Sequence, residues 1–275
     1  MKPRPPRPAP TTPLAKAADR AQEFADTYEM PLLDHLRELR KRVIVCMWAV
    51  LVCVGASFAF AGPIFDWLSQ PMNDALHVTG KGTMAITEAT EGIVVQMKVA
   101  GIAGLFASSP VIAYQIWKFV APGLYDKERR SVMPLVTAST FLFITGGAFA
   151  YYGVFRFGFP IFLSMNGDNV TAVLSINSYL TFAITLLVAF GVSFQLPIVV
   201  YFLARLGLIN HRDMISGFRY GIVGIFIIAA VLTPPDVMSQ MMMAGPLVVL
   251  YGVGIIVAWL FSTKPVPGKE KAAEG

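Results

Sequence analysis

The residues of this chain that could do chemistry stand in three places. The first is DHLRELRKR, Asp34–Arg42, directly before the apolar run VIVCMWAVLVCVGASFAF. Within its basic cluster Glu38 stands four residues before Arg42, the spacing of an intrahelical ion pair. Leu32, Leu33, Leu36, Leu39 and Val43 recur at helical spacing, so the segment is expected to be an amphipathic helix leading into the apolar run. The basic residues are adequate as a topological anchor, yet an anchor does not need Glu38. The second place is WKFVAPGLYDKERR, which sets Trp117, Phe119 and Tyr125 beside Glu128, Arg129 and Arg130 around a Pro122-Gly123 turn. An interfacial aromatic belt with a solvated charge run is the plainer reading of it. The third is AFGVSFQLPIV, where Gln195 lies two residues before Pro197 inside an apolar stretch. Pro197 lacks an amide donor and crowds the carbonyl of Ser193, which predicts a kink. The Gln195 amide has two donors and two acceptor lone pairs that lipid cannot satisfy. It either bonds a neighbouring helix or faces a hydrated recess or a docking partner helix.

Reaction chemistry is hard to place on this chain. There is no G-x-x-x-x-G-K-[ST] run and hence no phosphate loop, and no G-x-S-x-G. His35, His77 and His211 all lie outside the apolar runs, so no buried base stands beside a buried serine and no ligand cluster sits at depth. The sequence indicates neither an enzyme nor a metal or other cofactor. The centres of the apolar runs carry almost no ionisable groups, which argues against a proton-relay carrier.

The elements that must position these residues are membrane spans. Of 275 residues 55% are hydrophobic and 14% charged, against about a quarter charged in a soluble domain. Mean hydropathy is +0.61. A helix needs ~20 apolar residues to cross ~30 Å of hydrocarbon. The candidates are Val43–Phe60, Ile93–Tyr114, Val132–Phe155, Tyr179–Leu203, Phe218–Leu232 and Met241–Phe261. Lys98, near the start of the second, can snorkel outward. The fifth is short and is ended firmly by Thr233, Pro234, Pro235 and Asp236. Outside the spans, nineteen Lys and Arg fall on alternate segments against two on the others. The positive-inside rule then puts both termini in the cytoplasm, as six spans require. The net charge of +5 follows from this topology and implies no nucleic acid. Cys46 and Cys53 are seven residues apart on one helix, about 10 Å, too far for a disulfide, which needs roughly 7 Å or less. The segment before Met30 is rich in proline and polar residues and reads as a disordered arm. It has no apolar stretch of a signal peptide, and it lacks the serines of a transit peptide.

Taken together, HLRELRKR, SSPVIAYQIWKFVAPGLYDKERR, AFGVSFQLPIV and LTPPDVMSQ, in this order and between these spans, resemble the TatC family. TatC is the large membrane subunit of the twin-arginine protein translocase. The resemblance runs from about Met30 to Phe261. It implies an all-α membrane protein of six transmembrane helices, both termini inside, with a cup-like wall. Residues 1–29 would be a cytoplasmic arm, 30–262 the membrane domain and 263–275 a cytoplasmic tail. It further implies a receptor and core subunit that exports folded proteins across the bacterial cytoplasmic membrane, rather than the thylakoid membrane, driven by the proton-motive force. The implied partners are single-span TatA-like and TatB-like subunits, twin-arginine signal peptides and membrane lipid, within a multimeric complex. By motif, Glu38, Arg40, Phe119 and Glu128 fall on the signal-peptide site. Gln195 falls on the concave face, where many members carry glutamate. Thr233, Asp236 and Gln240 fall where partner helices dock. Two signal guanidiniums call for two acids on a basic surface, and Glu38 and Glu128 are the local exceptions. A six-span transporter or channel for small solutes is the competing reading.

Overall fold

The computed structural model describes residues 13–80, 82–120, 132–164, 173–233 and 236–262. Helix α1 spans Pro13–Phe58 and combines the amphipathic lead-in and the first span in one rod. It begins inside the segment that the sequence reads as a disordered arm. The reason is local: the proline-rich stretch ends at Pro13, a favoured first helical position, and the residues between it and Pro31 are mostly Ala, Leu, Lys, Arg, Gln and Glu. Averaging them with the preceding prolines hides that change.

Helix α2, Ala61–Thr79, follows at the outer end and closes on Gly80, whose φ of 64° is left-handed, with its N–H donating to the Leu76 carbonyl. Strand β1, Thr83–Ala85, precedes helix α3, Glu91–Val120. Helix α4, Val132–Phe149, runs through a π-helical turn, Ala150–Phe155, into α5, Arg156–Ser164. Arg156, the residue after the third candidate span, is therefore helical. Strand β2, Val173–Ser175, pairs in parallel with β1 and leads into α6, Ile176–Ser193. Helix α7, Leu196–Arg205, continues the fourth span. The short α8, His211–Ser216, and α9, Phe218–Leu232, precede α10, Val237–Phe261.

Among the described residues, five helices or helix pairs are long and apolar enough to cross a membrane, and α9 is the shorter sixth. At 1.5 Å per residue its 15 residues span about 22 Å. The core joins α2, α3, the π-turn, α6, α9 and α10, with Leu68, Val99, Phe155, Leu180, Phe190 and Met243 fully buried. Glycine sets two close approaches. A Cβ on Gly104 would lie 2.6 Å from the Val54 backbone of α1, and one on Gly146 2.5 Å from the Phe190 carbonyl of α6. Helix backbones meet at these points because no side chain intervenes.

The outer end is tied by polar contacts. Glu91, 2% exposed, accepts five hydrogen bonds. Ser175 Oγ (2.7 Å) and the Asn177 amide (2.6 Å) donate to Oε1; the Thr87 amide (2.5 Å), Thr87 Oγ1 (3.0 Å) and the Glu88 amide (3.2 Å) donate to Oε2. One carboxylate thus binds the start of α3 to β2 and the start of α6. Lys98 reaches to the outer end of α6, where its Nζ donates to Asn177 Oδ1 (2.5 Å) and Thr181 Oγ1 (2.7 Å). Two tyrosines hold α2, Tyr151 donating to the Trp67 carbonyl (2.6 Å) and Tyr179 to the Leu68 carbonyl (2.7 Å).

Candidate functional site

At the basic end, α1 and α3 lie side by side. Arg42 joins them: Nη2 donates to Glu38 Oε1 at 2.5 Å, and Nη1 donates to Gln115 Oε1 at 3.0 Å. The i,i+4 pair expected from spacing is formed, and a third residue 73 positions away fixes it. The apolar run starts at Val43, so Glu38 stands outside the span. The Arg42 hydrogen bond holds its carboxyl below the usual carboxylate range. Among the described residues Arg42 engages Oε1, which leaves Oε2 able to accept further donors. A recess of about 650 Å³ opens here, lined by Arg37, Glu38, Lys41, Arg42, Gln115 and Lys118. Glu38 is its only acidic lining residue among those described, so a cation entering it has one carboxylate to meet.

Phe119 lies in the last turn of α3, not in a loop. Its ring stacks on His35 at 4.4 Å between centroids. It also lines an apolar groove of about 520 Å³ with Leu39, Val43, Met47, Ile112 and Ile116. The carboxylate recess and this groove share Arg42 and Gln115, one on each side of the α1–α3 contact. Arg40 is exposed and lines neither. Glu128 lies outside the described residues. Trp117, which the sequence groups with the loop aromatics, is buried instead, and its Nε1 donates to Ser139 Oγ at 2.7 Å.

Gln195 sits in the break between α6 and α7, where Pro197 prevents a continuous helix. Its Nε2 donates to the Ser139 carbonyl of α4 at 2.9 Å, so it does bond a neighbouring helix. Its Oε1 is buried with no partner among the described residues. It lines two apolar recesses. One, of about 430 Å³, lies between α3, α4 and α6–α7; the other, of about 800 Å³, lies between α6–α7, α9 and α10. Of the two readings of Gln195 from sequence, the bond to a neighbouring helix is present through Nε2, while Oε1 is buried without a partner among the described residues.

Thr233, Asp236 and Gln240 close the outer junction of α9 and α10. Thr233 Oγ1 donates to the Ala229 carbonyl (2.8 Å). Asp236 caps α10, accepting from the Ser239 amide (2.8 Å) and Ser239 Oγ (2.5 Å). Gln240 Nε2 donates to the Phe226 carbonyl of α9 (3.1 Å). Three site members escaped the sequence reading: Gln115, Lys118 and Ser139. Only Lys118 carried a signal, a charge at the end of a span.

The fold and site define a polytopic helical membrane protein with a charged recess on its basic face and, among the described residues, no cluster that could hold a metal ion. The family description "Sec-independent protein translocase protein (TatC)" matches residues 34–246. A relative from Desulforapulum autotrophicum, named Sec-independent protein translocase protein TatC, is 40% identical over 245 residues, covering 89% of this chain and 90% of its own. One of the same name from Helicobacter pylori is 40% identical over 234 residues, 85% of this chain and 89% of its own. The crystal structure of the twin-arginine translocase receptor TatC superposes with a TM-score of 0.74 at 36% identity, covering 82% of this chain and 97% of that one. The same receptor crystallised in DDM gives 0.75 at 36% identity. The chain belongs to the TatC family of Sec-independent protein translocase proteins. These likenesses do not favour the small-solute channel.

Proposed function

We propose that this chain is the receptor and core subunit of a twin-arginine translocase in the bacterial cytoplasmic membrane, and that Glu38 reads one arginine of the signal peptide. The observation that carries the proposal is the Glu38–Arg42–Gln115 arrangement. Arg42 is pinned by Gln115 and holds Glu38 through one oxygen, so the carboxylate is oriented before any ligand arrives. An incoming guanidinium then meets a fixed acceptor, which reduces the ordering cost of binding. Its planar fork suits a carboxylate better than an ammonium does. The second signal arginine is assigned to Glu128, with Phe119 as an apolar and stacking wall and Arg40 as a donor to the polar backbone of the signal.

The chain is not an enzyme under this proposal; export of folded cargo draws on the proton-motive force. Single-span TatA-like and TatB-like partners dock by Thr233, Asp236 and Gln240 and by the recess carrying Gln195. The unmet Gln195 Oε1 and the shortness of α9 support that assignment. The whole works as a multimeric complex. The test is binding of a fluorescent twin-arginine signal peptide to the purified chain in detergent. Tight binding that is lost when both signal arginines become alanine is the expected result. Equal binding of the two peptides would refute the receptor role.

A further inference from the structure

We propose that the groove between the cytoplasmic ends of α4, α7 and α10 is a seat for an anionic phospholipid of the inner leaflet. The groove holds about 400 Å³ and is built from Leu135, Ala138, Pro197, Tyr201, Arg205 and Phe261, among others. That volume lies within the roughly 300–1,000 Å³ of ligand pockets. Its position in the membrane follows from the elements. Helix α4 starts, and α7 and α10 end, on the side that carries the basic segments.

The lining is graded along one stripe of α7. Pro197, Tyr201 and Arg205 recur every four residues and so share a face. Pro197 is deepest, beside Leu135 and Leu142 of α4; Arg205, exposed, is the last residue of the helix. Tyr201 lies between them, its ring edge-on to Phe261 at 4.9 Å. An acyl chain fits the apolar part. A phosphate at the mouth meets the guanidinium, with the phenol one turn below as a second donor. Basic residues bordering crevices between spanning helices on the cytoplasmic side suit anionic head groups. An apolar partner helix would gain nothing from Arg205, and free phosphate would gain nothing from the apolar wall, so the paired chemistry selects a lipid. This seat is on a different face of α7 from Val199, which lines the recesses of Gln195.

The test uses the full chain purified in a non-ionic detergent. Thermal unfolding is followed while phosphatidylglycerol, phosphatidylcholine or inorganic phosphate is added, and lipid retained by the protein is counted by native mass spectrometry. Phosphatidylglycerol is expected to raise the melting temperature and to remain bound; the other two are not. Arg205→Gln is expected to weaken the phosphatidylglycerol response about fivefold, the worth of one basic contact near a membrane surface. Ala138 is exposed, so Ala138→Phe fills the groove without disturbing the core and is expected to abolish the response at unchanged lipid-free stability. Equal responses to both lipids would overturn the proposal. So would an undiminished response and lipid count in both variants, or a response to inorganic phosphate alone. A wild-type chain that responds only after removal of residues 263–275 would assign the groove to that segment and overturn it too.

Discussion

Replacing Gln195 by leucine separates holding helices together from meeting a partner. The substitution removes the Nε2 bond to the Ser139 carbonyl, and interhelical hydrogen bonds in membranes are worth about 0.6 kcal/mol on average and at most about 1.7. It also removes the unmet Oε1, and an unsatisfied buried polar group costs about 1–3 kcal/mol. The two terms oppose each other, and Leu suits the apolar lining. The net change in stability is expected within about 1 kcal/mol, a melting shift of about 2–4 °C or less. Export of a twin-arginine reporter is expected to fall, because the one amide side chain among the described residues lining both recesses is gone. Gln195→Glu replaces the donating nitrogen with oxygen and sets two acceptors at the 2.9 Å separation now bridged by a proton. That variant is expected to be the less stable of the two, by about 1–3 kcal/mol relative to wild type. Detergent-solubilised melting curves and reporter export are measured for both. A Leu variant that loses several degrees, with export falling only in step with protein amount, would refute the recess role and leave Gln195 a purely structural tie.

Gly146→Ala is expected to destabilise by about 1–3 kcal/mol, because its Cβ would stand 2.5 Å from the Phe190 carbonyl; Gly224→Ala, with nothing within 4 Å, is the control and is expected to melt like wild type. Glu91→Gln is expected to lower the melting temperature, since five donors converge on that carboxylate, whereas Glu88→Gln, an exposed position, leaves it unchanged. A cysteine at Val78 is expected to react with an impermeant thiol reagent in intact cells and one at Arg212 only after the membrane is opened, with Cys46 and Cys53 silent throughout; outside labelling at 212 would overturn the topology.

How far the sequence was legible follows from which interactions are local. The fifth span reads as Phe218–Leu232 from hydropathy and is observed with those bounds. The break after Gln195 is legible because proline acts on its own helix, and the Glu38–Arg42 pair because four residues make one turn. Helix α2 is not legible: it is amphipathic and carries Pro71 in its interior. The strands are three residues each, below any periodicity. The partners that give the site its geometry, Gln115 for Arg42 and Ser139 for Gln195, lie 73 and 56 residues away. No pattern in a single chain announces such pairings. The extension of α3 to Val120 was masked by the charges and turn that follow it. Hydropathy ends the second span at Tyr114, whereas Trp117 and Phe119 close the same helix.

The central claim, that Glu38 reads a signal arginine, is tested most directly by a double-mutant cycle. Glu38 is wild type or alanine, each signal arginine is in turn wild type or alanine, and peptide affinity is measured for every combination. The account predicts a several-fold loss from Glu38→Ala that vanishes once one particular signal arginine is already alanine, which identifies the pair. Losses that multiply independently for both arginines would contradict it and leave Glu38 as nothing more than the partner of Arg42.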